Sequence, residues 1–86
     1  MRIEFDTDKR NKNLTERGLD FARADEVFES VSATAPDLRR AYGEPRFVTL
    51  GLLDSRLIVL VWTTRGDARR IISMRKANER EIAKYG

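Results

Sequence analysis

Three apolar segments, Phe47 to Leu53, Leu57 to Trp62 and Ile71 to Met74, constrain this chain more than any other feature. Their β-branched and aromatic content reads as a half-buried sheet. Only short polar breaks separate them: Asp54-Ser55, and Gly66-Asp67, where Gly suits the positive φ of a tight hairpin. Connections this short force sequential, antiparallel pairing, so the expectation is a three-strand meander. Pro45 stands just before its first strand, where a missing amide hydrogen does least harm. Strict alternation along the last strand would put Arg69, Ile71, Ser73 and Arg75 on one face and Arg70, Ile72 and Met74 on the other. The margins of these strands carry Glu44, Arg46, Arg65, Arg70, Ser73 and Arg75, and charge placed there needs a partner. A guanidinium is a fork of five donors that suits phosphate oxygens, which makes RNA backbone the leading ligand.

The remaining segments complete an α+β pattern. Arg2 to Phe5 alternates and is short, as an edge strand would be. Asp6 or Asp8 can cap a polar helix that runs roughly to Glu16, with Gly18 at its left-handed end. Asp20 caps a second helix whose Phe21, Ala24, Val27 and Phe28 form one apolar stripe, expected to lie on the sheet. Residues 30–41 show neither periodicity and read as an exposed connection. The segment from Lys76 to Tyr85 reads as a closing helix. The expected fold is therefore an antiparallel sheet, a short first strand plus a three-strand meander, with two N-terminal helices and one C-terminal helix.

The chain of 86 residues reads as one domain, 1–86. Its formal charge is only +3, but the halves differ: residues 1–45 sum to −2 and residues 46–86 to +5. The positive field that attracts a polyanion thus belongs to the second half. Arg outnumbers Lys 13 to 4, which favours planar, bidentate contacts, although a GC-rich genome produces the same bias. The absence of Cys and His removes disulfides, thiolate and imidazole metal sites, Ser-His triads and imidazole acid–base chemistry. The longest apolar run, Leu57 to Trp62, is too short to span a bilayer, and the N-terminus lacks the apolar core of a signal peptide. A cytoplasmic protein with no metal, cofactor or membrane partner is expected.

One ordered set of residues begins with Phe5-Asp6, Lys9, Asn13, Gly18 and Phe21, and continues through Tyr42-Gly43-Glu44, Arg46 and Gly51. It ends with Arg65, the run Arg70-Ile71-Ile72-Ser73-Met74-Arg75, then Ala77, Glu81 and Tyr85. In this order the set resembles the BrnT toxins of bacterial type II toxin–antitoxin systems. The resemblance covers nearly the whole chain and implies a RelE-like ribonuclease fold and an mRNA-cleaving toxin. It also implies a BrnA-type antitoxin whose ribbon-helix-helix domain binds the promoter, so that DNA is contacted only through that partner. Family members usually carry Lys-His-Gly after the first helix, whereas this chain has Glu16-Arg17-Gly18. A guanidinium keeps a positive contact to phosphate but does not give up and recover a proton near neutral pH.

Metal-free RNA cleavage requires deprotonation of the 2′-hydroxyl, compensation of the phosphorane charge, and departure of the 5′-oxygen. Arg46 and Arg65, at neighbouring strand ends, are the candidates to offset that charge, each contact contributing roughly 3 kcal/mol. Glu44 is the candidate base, or else orients Arg46 through a salt bridge. Ser73 and Arg75 are expected to bind a neighbouring phosphate, with Arg70 and Arg17 adding positive contacts; Ser73 could instead cap the final helix. Lys9 would steer substrate, and Tyr85 would stack a base or supply a phenolic proton; both residue types more often do nothing beyond solvation or packing. Trp62 reads as core. The alternative to a nuclease is a catalytically weak module that binds the antitoxin and tunes repression. A plain RNA-binding domain ranks last, because interleaved stacking aromatics are missing.

Overall fold

In the computed structural model, which describes residues 2–85, the three apolar segments form the centre of a five-stranded sheet. The strands are β1 (Arg2–Phe5), β2 (Ala33–Pro36), β3 (Phe47–Leu53), β4 (Arg56–Arg65) and β5 (Ala68–Lys76), in the spatial order β1-β5-β4-β3-β2. The helices are α1 (Thr7–Arg17), α2 (Ala24–Glu29), preceded by a 3₁₀ turn at Phe21–Arg23, and α3 (Glu79–Tyr85). Helix α1 begins where the Asp6 carboxylate accepts from the Asp8 N–H, and ends where Gly18, at φ +70°, donates to the Leu14 carbonyl. The second helix differs from the expectation: Asp20, accepting from the Ala22 N–H at 2.9 Å, caps only the 3₁₀ turn that holds Phe21, and α2 begins at Ala24 without a side-chain cap.

The sheet departs from the sequence expectation in two ways. It is mixed rather than antiparallel: β2, β3, β4 and β5 pair antiparallel in sequence, but β1 lies parallel to β5, with Phe5 beside Ile71. A parallel neighbour requires a crossover, and here α1, α2 and three strands intervene between β1 and its partner. The second correction concerns residues 30–41, where Ala33–Pro36 is an edge strand in register with Phe47–Leu50. All four of its residues are exposed, so no apolar period marks it. Backbone pairing and a 2.7 Å contact between the Thr34 and Thr49 hydroxyls hold it in place.

One face of the sheet is covered. Phe21, Ala24 and Val27, from the stripe expected to lie on the sheet, pack with Leu53, Ile58, Leu60, Trp62, Ile71 and Met74. Gly51 lets α2 approach: a Cβ there would sit 2.6 Å from the Val27 carbonyl oxygen. Trp62 belongs to this core, stacked on Phe47 at 4.7 Å and edge-on to Phe28 at 5.5 Å. Its indole N–H donates to the Thr49 hydroxyl at 2.8 Å, and that hydroxyl also shares its hydrogen bond with Thr34.

A bulge in β5 overturns the simple alternation of that strand. Val61 pairs with Ser73 but Trp62 pairs with Ile71, so Ile72 is an extra residue without an opposite number. Ile71 and Met74 therefore both reach the core, although their spacing of three would put them on opposite faces of a regular strand. Arg69 stays on the covered side, its guanidinium carbon 4.0 Å from the Phe28 ring centre and 5.2 Å from that of Trp62. Arg70, Ser73 and Arg75 share the opposite, open face, as partners of Thr63, Val61 and Val59.

Candidate functional site

The open face carries a groove of about 510 Å³ floored by Val48, Val59 and Val61. Three cationic side chains, Arg17, Arg39 and Arg75, surround it together with Ser73 and the carboxylates of Asp37 and Glu81. The C-terminal end of α1 brings Arg17 to β5, where its guanidinium donates to the Met74 carbonyl at 3.2 Å. Lys9 lies one step away, lining a smaller hollow with Arg17 and Ser73. Arg17, Ser73 and Arg75 thus meet in one place, and Lys9 is next to them.

Arg75 is engaged by α3. Both of its terminal nitrogens donate to Glu81 at 2.8 Å, a bidentate pair in which 38% and 25% of the two side chains remain exposed. The guanidinium holds the Glu81 carboxyl down at about 2, against the cost of partial burial and with help from the Asn78 N–H. Asn78 and Glu81 cap the helix reciprocally, each side chain accepting from the other's backbone N–H at 2.9 Å. Asn78, not Ser73, is therefore the cap of the final helix.

The segment between β2 and β3 forms the groove's other wall and was not legible as such in the sequence. Asp37 buries its carboxylate, 1% exposed, under bonds from Arg39 at 2.8 and 2.9 Å and from the Tyr42 hydroxyl at 3.0 Å. The Arg39 guanidinium foremost holds that carboxyl well below the usual carboxylate range, with the Arg39 N–H and Tyr42 adding to the effect and burial opposing it. Tyr42 in turn supports Arg46, whose guanidinium carbon lies 4.1 Å from the ring centre. Arg46 also donates to Glu44 at 3.2 Å, the contact by which that carboxylate orients it. Asp37 and Arg39 escaped sequence reasoning, which read residues 30–41 as an exposed connection, and Tyr42 entered only through the family resemblance.

Strand register places the remaining candidates. Arg65 ends β4 three residues beyond Trp62, and Arg46 immediately precedes Phe47, the partner of Trp62, so both sit at one end of the sheet. Their parity with Val61 and Val48 puts both on the open face. Arg65 has no carboxylate partner among the described residues, whereas Arg70 donates to Glu4 at 2.6 Å. Tyr85 stands apart: its hydroxyl donates to the Val31 carbonyl, and it lines a different groove. Among the described residues no three Asp or Glu side chains converge as metal ligands would, and no helix is long and apolar enough to cross a membrane.

An α+β chain whose single sheet is apolar on one side and carries clustered guanidinium groups on the other is suited to engage an anionic polymer. Residues 5–81 match the family of ribonuclease toxins, BrnT, of type II toxin–antitoxin systems, and the chain belongs to that family. Membership implies an RNA substrate and an antitoxin partner. No curated protein matches the sequence closely enough to extend this assignment.

Proposed function

We propose that this protein is a cytoplasmic, metal-independent endoribonuclease toxin of RelE-like fold that cleaves mRNA and is neutralised by a BrnA-type ribbon-helix-helix antitoxin. The observation that carries this reading is the Ile72 bulge, which aligns Arg70, Ser73 and Arg75 with the face that bears Arg46 and Arg65. In the proposed mechanism Arg46, preset by Tyr42 and Glu44, and Arg65, without a carboxylate of its own, offset charge on the phosphoryl oxygens. Glu44, held in place by its contact with Arg46, accepts the 2′-hydroxyl proton. Ser73, Arg75 and Arg17 bind a flanking phosphate in the groove, Lys9 and Arg70 extend the positive track, and Tyr85 supports α3 from its far end.

Purified protein incubated with mRNA in excess chelator should cut it. Arg46→Ala and Arg65→Ala should each reduce the rate by about 100-fold while leaving the circular dichroism spectrum intact. Wild-type rates in both variants would move the site elsewhere, and a requirement for added magnesium would refute the metal-free scheme.

A specific observation also favours the second reading, a catalytically weak antitoxin-binding and co-repressor module. Arg46, Arg70 and Arg75 each rest on a carboxylate of the chain itself, Glu44, Glu4 and Glu81. Together with the lack of any histidine, this arrangement suits binding better than fast proton transfer. Induction in a bacterial host separates the two, since only a nuclease arrests growth that the antitoxin restores.

A further inference from the structure

A second groove lies at the opposite end of the open face, beneath α3, and its chemistry differs from that of the first. Leu52 and Leu57 are cross-strand partners next to the hairpin that joins β3 to β4, and together with Ala77 and Ile82 they form an apolar floor. The groove measures about 540 Å³. Two cations, Arg56 and Lys76, stand at its edge, and no carboxylate lines it among the described residues. Neither cation has an ion-pair partner among those residues, in contrast to Arg46, Arg70 and Arg75 on the same sheet. Helix α3 forms one wall without burying any residue: Ile82 is 52% exposed, and nearby Val31, whose carbonyl receives Tyr85, is 83% exposed. An apolar patch of this kind rimmed by polar groups is the mark of a contact surface.

We infer that this groove is where the antitoxin docks, through a short segment that presents aliphatic side chains to Leu52, Leu57 and Ile82 and places Asp or Glu against Arg56 and Lys76. The inference rests on the toxin–antitoxin reading, since family membership supplies the partner, and the groove's own charge specifies the chemistry of the partner's segment. A floor of aliphatic side chains beneath unpaired cations complements an amphipathic acidic helix. It suits RNA poorly: the one aromatic ring present is tethered through its hydroxyl to Val31, and aliphatic floors give bases no π-face to stack on.

The test uses the full-length protein and the antitoxin encoded in the same operon, titrated by calorimetry, with RNA cleavage by the free toxin measured in parallel. Leu52→Asp and Ile82→Asp should each weaken antitoxin binding by about 10-fold or more, the loss expected at the centre of an interface. Lys76→Glu should slow association and reduce its dependence on salt. All three should cleave RNA as the wild type does. Should an aspartate variant fail to fold by circular dichroism, Lys76→Glu, at an exposed position, decides the matter. Wild-type antitoxin affinity in folded variants overturns the inference. So does a loss of RNA binding with antitoxin affinity retained, which would make the groove an RNA surface, or a wild-type dimer that the variants dissociate, which would make it a self-contact. A wild-type protein that never cuts RNA refutes the nuclease reading alone, because the affinity comparison would still stand.

Discussion

The two faces of the sheet share the same strands yet are held by different forces. On the covered face, Phe21, Ala24, Val27, Ile58, Leu60 and Met74 are at most 1% exposed, and cohesion comes from burial of apolar area. On the open face, ion pairs such as Arg75–Glu81 and Arg46–Glu44 remain partly exposed, and pairs of that kind contribute little to stability, about 0–1 kcal/mol. Under the proposed function, stability and ligand chemistry are therefore segregated by side. Guanidinium groups can be arranged for an anion on the open face because the other face holds the fold.

Perturbing each face in turn should separate the two. The largest effect belongs to the core: Leu60→Ala, at a fully buried position, should cost about 2–5 kcal/mol and lower the melting temperature by 10 °C or more. A shift of only a degree or two in thermal denaturation would mean that the covered face does not hold the fold. Gly51→Ala should follow at about 1–3 kcal/mol, because the new methyl meets the Val27 carbonyl oxygen at 2.6 Å and α2 must move outward. Urea denaturation would report it. On the open face, Arg75→Ala should change global stability by less than about 1 kcal/mol, yet release α3, seen as faster amide exchange in residues 79–85. Unchanged exchange there would show that Tyr85 alone docks the helix.

The smallest effect is a titration. Because Arg75 depresses Glu81 from an ordinary 4.5 to about 2, the docking of α3 gains stability that is present above pH 4.5 and lost as pH falls toward 2. Amide exchange in α3 should accelerate across that window in the wild type but not in Glu81→Gln. If the variant shows the same acid transition, another carboxylate is responsible.

The failures of sequence reasoning fall where periodicity carries no information. Ala33–Pro36 buries no side chain, so its strand character exists only in hydrogen bonds to β3. The groove wall at Asp37 and Arg39 looked like a plain connection because its buried carboxylate is satisfied by neighbours two and five residues away, a pattern with no helical or strand period. By contrast, the apolar stripe of Phe21, Ala24, Val27 and Phe28 and the turn at Gly66, φ +61°, could be read directly. Local rules sufficed there.

The chain's own order of residues determined that there would be a meander with a helix on it, and the ordered set from Phe5 to Tyr85 pointed to the family whose match spans residues 5–81. Apolar patterning and turn chemistry act over a few residues and leave a record in the sequence. What the tertiary structure alone decided is which arginines share a face. One extra residue at Ile72 reverses the parity of β5, and no local preference encodes it, because a bulge is settled by the core that Ile71 and Met74 must both enter.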